Sequence, residues 1–353
     1  MKIQIAQKYA PFSQVIGEIA LIPKSDWSVK VFPARLEFFN TGNESFFVPL
    51  EIEGPISNFT LMQNQERGWV RVFFMTPKGY LSYRIYQREN TLILFIERCS
   101  SDGISFIYQG KKEHLFQKGE FPFAIQSSFF SKGNLEKMSF GNHKAQDWQK
   151  IKRRLCLDEI LPIWFHLGQS YPIQNQSTFG ICELFLKCEE LLAIQDKQAI
   201  GKSLLSLFQA GFQGIFSPRL EDTDYQGLFK SKDPMLSPLL LLKGGSDLIR
   251  RLLIDKCGDV YSILPCLPVE LHAGRFIKIQ EGKISFDLEW SKKMIRRVMI
   301  RVEETGEYNL KFQAQIKSFR IRTSFRDRGA RFLVRTPLFL KAGTHYFLDC
   351  FQK

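Results

Sequence analysis

The chain has 353 residues, of which 44% are hydrophobic and 24% charged, and a formal net charge of +13 at pH 7; this is the balance of a folded globular protein, which excludes disordered and fibrous classes. No stretch reaches the ~18 uncharged apolar residues of a spanning helix. The opening residues place Gln, Lys and Pro where a secretory apolar core would lie, so a cytoplasmic location without membrane contact is expected.

Residues 1–132 read as an antiparallel β-sandwich. Val29 to Phe39 and Ser45 to Ile52 are strands flanking the turn Thr41-Gly42-Asn43. Val70 to Met75, the turn Thr76-Pro77-Lys78-Gly79, and the alternating Leu81, Tyr83 and Ile85 predict a hairpin. Thr91 to Ile96, apolar at nearly every position, is its buried third strand.

The texture changes over 133–157, a polar linker, and 158–262 reads as helical. Ile160, Ile163, Trp164 and Leu167 share one stripe of a helix that Gly168 ends. A buried helix runs from Ser177 or Thr178 through FGICELFLKCEELLAI, and Asp196 caps a third that Gly211 ends. Two shorter helices follow: one begins at Pro238 and stops at Gly244-Gly245, and the next takes Ser246 as its N-cap. From 263 to 353 the period returns to two, through Ile284, Phe286, Leu288 and Trp290 and strands centred on Val298, Leu310, Ile321 and Leu333. The fold class is therefore α+β and multidomain, with the order β, α, β.

Charge is concentrated at the end of the chain. From Arg275 to Lys353 there are 18 lysines and arginines against 8 acids. Such a region is either the solvated face of a sheet or a surface for a protein partner or an anionic ligand. Nucleic acid is disfavoured, since no zinc knuckle, helix-turn-helix or aromatic RNA-binding motif accompanies the charge. The seven cysteines are scattered without a C-x-x-C pair and the five histidines do not cluster with them, so reduced thiols and no metal are expected. There is no P-loop, GxGxxG, GxSxG or HExxH, and no cofactor is implied.

The segment ILPCLPVELHAGRF at 263–276 and the strand ISFDLEW at 284–290, preceded by SDLIRRLLIDKCGDVYS, resemble the junction after the helical barrel in bacterial glycoside hydrolases of families 65 and 95. The resemblance covers about 45 residues, from Ser246 to Trp290, and its Leu-Pro elements are structural in that family. It implies an N-terminal β-sandwich, an (α/α)6 barrel and a C-terminal β-domain, and a carbohydrate-active protein similar to inverting glycosidases acting on an oligosaccharide. Twelve barrel helices do not fit in the ~105 residues available at 1.5 Å per residue with loops. The resemblance thus implies a reduced or degenerate relative with a barrel remnant, and no catalytic residue carries over by motif. The alternative is a non-catalytic interaction or scaffold protein that binds a partner or an anionic ligand through its basic C-terminal domain.

For hydrolysis two carboxyl groups must flank the sugar bond, about 5.5 Å apart for retention or about 6.5–9.5 Å for inversion. In SPRLEDTDYQG, Glu221, Asp222 and Asp224 are close enough, with Asp222 and Asp224 the chosen pair and Tyr225 and Gln226 as sugar contacts. The same residues suit a solvated loop or a helix cap equally well. Trp164 and His166, in LPIWFHLGQ, offer an aromatic face and a polar tip to a sugar, or are simply core residues. Glu183 is either a buried acid with a raised pKa or an exposed residue pairing with Lys187. His143 reads as a linker or capping residue, and Glu270, His272 and Arg275 fall in the resembling segment.

Overall fold

A computed structural model describes the chain except residues 1, 43, 126, 127, 129, 131–134, 173–179, 223–235, 325 and 335. It is a β-rich α+β protein, with 43% of residues in strands and 18% in helices. In the N-terminal region a six-stranded antiparallel sheet has the order Phe12–Ser13, Ser57–Asn64, Trp69–Thr76, Gly79–Arg88, Thr91–Arg98, Glu120–Pro122. The expected hairpin and third strand are its centre, with Thr76 opposite Gly79 and Arg88 opposite Thr91. A second, four-stranded meander comprises Glu18–Leu21, Trp27–Phe32, Arg35–Asn40 and Ser45–Pro49.

Val29 to Phe39 is thus two strands and not one. Pro33 has no N–H to give a ladder, and the chain reverses at Pro33-Ala34 with Phe32 opposite Arg35. The two sheets meet through their apolar faces. Phe38 and Phe46 of the meander pack on Phe123, with ring centroids 5.2 and 5.5 Å away, and the Phe123 N–H donates to Leu92 O in the six-stranded sheet.

Five helices occur among the described residues: α1 (Trp148–Arg154), α2 (Leu157–Gly168), α3 (Ile181–Ala193), α4 (Ala199–Gly211) and α5 (Leu240–Leu253). Asp196 accepts from the Gln198 and Ala199 N–H groups at the start of α4. Helix α5 corrects the expectation of two short helices, because it runs straight through Gly244-Gly245. The pair serves close approach and not termination. A Cβ on Gly244 would lie 2.6 Å from Phe185 Cζ, and one on Gly245 would lie 2.6 Å from Trp164 Nε1 and closer still to the indole ring. Ser246, expected as an N-cap, instead donates its hydroxyl to Phe165 O across the helix contact (3.1 Å).

The C-terminal region holds a seven-stranded antiparallel sheet in the order Lys137–Ser139, Gly274–Glu281, Ile284–Ser291, Met294–Val302, His345–Gln352, Ser318–Arg322, Ala330–Leu333. Its first strand comes from the stretch read as a linker. A four-stranded sheet of Ile254–Cys257, Val260–Ile263, Gly306–Lys311 and Leu338–Leu340 packs on the apolar side, where Tyr261 meets Phe286 at 5.7 Å. The Leu-Pro segment runs beside the end of α5, with the Leu264 and Cys266 N–H groups donating to Leu253 O and Leu252 O. No helix among the described residues is long and apolar enough to cross a membrane.

Candidate functional site

A cleft of about 740 Å³ lies between α2 and α5 on one side and the seven-stranded sheet on the other. Clefts where separate structural layers meet are common ligand sites. The floor is apolar where Phe165 of α2 meets Phe276 of the sheet edge-on at 5.3 Å; the walls are polar and charged.

The helix wall is fixed by Arg250. Its guanidinium donates to Glu136 Oε2 (2.9 Å), Glu281 Oε2 (2.8 Å) and the Gln280 carbonyl (2.9 Å). Glu136 is itself pinned by the Gln169 side-chain amide, which bonds both the N–H and the C=O of its backbone. Burial works against the charge of Arg250, but the hydrogen bonds and charges of Glu136 and Glu281 outweigh it and hold the guanidinium above its ordinary range. Two turns earlier on α5, Lys243 pairs with Asp247.

The sheet wall depends on a β-bulge. Pairing between Gly274–Glu281 and Ile284–Ser291 shifts register between Phe276 and Ile279, and Lys278 takes the left-handed conformation there (φ 60°). Bulges re-aim side chains. The buried Asp287 holds the arrangement from below: one carboxylate oxygen accepts the Lys278 N–H (2.8 Å) and the other accepts Arg301 Nη2 (3.0 Å). Lys278 therefore reaches the cleft beside Arg301 and Ser285. Its ammonium has no ion-pair partner among the described residues.

Around the cleft opening the same face of the sheet is arginine-rich. Arg275 and Arg297 share Glu289, and Arg320 and Arg322 share Asp349. These rows follow from period-two alternation, since Ser285, Asp287 and Glu289 share a face with Arg301 and Asp349. Burial raises the Asp349 carboxyl, but Arg320 and Arg322 outweigh it and leave the group below its usual range. With Lys278 and Arg301 included, six cations stand against three carboxylates.

The residues expected to carry chemistry lie elsewhere. Asp222 is buried and paired with Arg219 Nη2 at 2.7 Å, while Asp224, Tyr225 and Gln226 fall outside the described residues. Glu221 is exposed. Trp164 is fully buried, donates its indole N–H to Leu241 O (3.0 Å) and packs against Phe208 and Phe212. Protein surrounds it on both faces, so it is a core residue here. His166 is 3% exposed and stacked on Tyr9 at 4.3 Å, with neither ring nitrogen hydrogen bonded among the described residues. Burial pushes its pKa down to about 4. Glu183, His143, Glu270 and His272 are exposed.

The buried carboxylates other than Asp222 are also engaged. Glu159 accepts from Arg154 and Asn142, and Glu18 from Gln149 and Ser13. Burial raises Glu159, and its bonds to Arg154, Asn142 and Lys144 more than reverse this. The cleft residues Lys278, Arg301 and Arg250 were not singled out from the sequence; the charge excess after Arg275 was the signal for the first two, and Arg250, inside a helix, had none. The chain matches no family model and no curated protein.

Proposed function

We propose that the chain is a binding protein for a small anionic ligand, a carboxylated or phosphorylated compound taken up where the basic face of the C-terminal sheet turns into the cleft. The observation that carries this reading is Lys278, exposed, aimed by the bulge and without an ion-pair partner among the described residues, beside an Arg301 that Asp287 holds in place. Charge-assisted hydrogen bonds to an acid group are the strong ones, and here the cations are positioned before the ligand arrives. Hydrolysis is the weaker reading, because every buried carboxylate among the described residues is bonded to a cation or an amide. In this view the helical layer is a shortened relic of an α/α barrel, retained as one wall of the cleft. The junction at Leu264 and Cys266, hydrogen bonded to the end of α5, favours it.

The test is calorimetric titration of the full chain with inorganic phosphate, a sugar phosphate, a tricarboxylate and a neutral oligosaccharide, using Lys278→Gln and, as a control, Lys341→Gln. The expected result is binding of at least one anion, weakened about tenfold by Lys278→Gln and unchanged by the control. Binding of none, or equal binding by Lys278→Gln, overturns the proposal.

A further inference from the structure

A second constellation lies on the outer face of the N-terminal six-stranded sheet and shares no residue with the cleft. A sheet face turned to solvent normally carries polar side chains. Here Trp69, Phe73, Tyr80 and Phe95 alternate with the core residues Val70, Val72, Leu81, Leu94 and Ile96. Arg71 lies over the Phe73 ring at 5.3 Å and Arg84 over Trp69 at 5.0 Å. Both guanidiniums end on Glu97, which also accepts the Ser82 hydroxyl at 2.6 Å. Burial raises Glu97, but the Ser82 bond and the two arginines outweigh it, so the carboxylate keeps its charge and holds both arginines.

Around this rigid centre lies a shallow trough of about 550 Å³. Two of its cations, Arg98 and Lys118, are exposed and have no ion-pair partner among the described residues. They are neighbours by construction, because the Lys118 N–H donates to Ile96 O (2.7 Å) and sets this left-handed residue (φ 66°) beside the strand that carries Arg98.

One aromatic surface, two uncompensated cations and fixed guanidinium edges call for a ligand with one acid group, an apolar ring face and hydroxyls. That is the chemistry of an acidic sugar. A pyranose needs only one aromatic ring for its C–H face, and Tyr80 is half-buried at the trough. Single-stranded nucleic acid needs several open ring faces and a run of free cations, whereas guanidiniums lie over Trp69, Phe73 and Phe95 and, among the described residues, two cations of the trough lack an ion-pair partner. An open trough also lets a polymer pass through it. We propose that this face binds a uronic acid residue within a polysaccharide, its ring against Tyr80 and its carboxylate between Arg98 and Lys118.

The test is titration of the full chain with polygalacturonate, alginate and hyaluronan fragments, a neutral galactan fragment and oligothymidylate. The variants are Arg98→Gln/Lys118→Gln, Tyr80→Ala and Lys278→Gln. The expected result is binding of at least one uronate polymer and not of the galactan, weakened about tenfold or more by the double variant, weakened several-fold by Tyr80→Ala, and unaffected by Lys278→Gln. Failure of all three uronates, equal binding of the galactan, tighter binding of oligothymidylate, or an undiminished double variant overturns the proposal. Loss of uronate binding in Lys278→Gln also overturns it, because that would move the ligand to the cleft.

Discussion

Gly245→Ala puts the packing of α5 to a quantitative test. In an exposed helix interior the change would stabilise by about 1 kcal/mol, since alanine is the better helix former. At Gly245 the new methyl carbon would stand 2.6 Å from Trp164 Nε1 and nearer still to other indole atoms. The ring has little room to yield: it is fully buried, bonded to Leu241 O on the same helix, and backed by Phe208 and Phe212. Overpacking a core in this way costs about 1–3 kcal/mol, and losing the indole hydrogen bond about 1 kcal/mol more. The net expectation is destabilisation by about 2 kcal/mol, or a Tm lower by roughly 3 °C for a chain of this size. Thermal and urea melts followed by circular dichroism read it directly. Combining Gly245→Ala with Trp164→Phe, which shortens the ring, should recover at least about 1 kcal/mol in a double-mutant cycle. A Gly245→Ala protein as stable as the parent, or more so, would refute the close contact and return Gly244-Gly245 to the role of a helix stop.

Further predictions concern buried charge. His166 has a folded-state pKa of about 4 against an ordinary value of 6.5, so as the pH falls the unfolded chain binds the extra proton first. Stability should be complete above about pH 6.5 and fall by up to about 3 kcal/mol as the pH drops to 4; His166→Phe should keep the stack on Tyr9 and flatten that part of a urea-midpoint profile, and an unchanged slope would count against it. Arg250→Met leaves Glu136 and Glu281 without their cation and should cost about 3 kcal/mol, measured by denaturant melts. A loss under 1 kcal/mol would mean that the helix wall does not depend on this residue. Arg35→Gln, which removes an exposed cation from the surface pair with Glu37, should change stability by less than about 0.5 kcal/mol, as a control on the same measurement.

The parts of the fold that could be read ahead are those whose signal is local. The hairpin at Thr76 to Gly79 and the strand from Thr91 show period-two alternation with turn residues between, and both appear with the expected pairing. What escaped depends on partners far along the chain. Apolar alternation continues across Pro33, so the break between Trp27–Phe32 and Arg35–Asn40 shows only in the pairing. Gly244-Gly245 is the same dipeptide whether it ends a helix or admits an indole ring about 80 residues away; only the contact with Trp164 decides. Lys137–Ser139 is three residues without a pattern of its own, recruited by the edge of Gly274–Glu281.

The candidate sites were harder to read for an electrostatic reason. Composition gives the sign and size of the net charge but not which charges cancel. Arg320 and Arg322 stand out in the sequence as a basic run, yet they share Asp349 and lose much of their field. Lys278 looks like any lysine alternating with isoleucine, yet the bulge and Asp287 leave its ammonium without a described counter-ion. The charge available to a ligand is therefore the residue left after pairing. In the cleft it includes Lys278, and on the N-terminal sheet Arg98 and Lys118. If so, added salt should weaken anion binding with the shallow slope of one or two released counter-ions, and a steep slope of the kind a polycationic surface gives would show that the clasped arginines act as free ones.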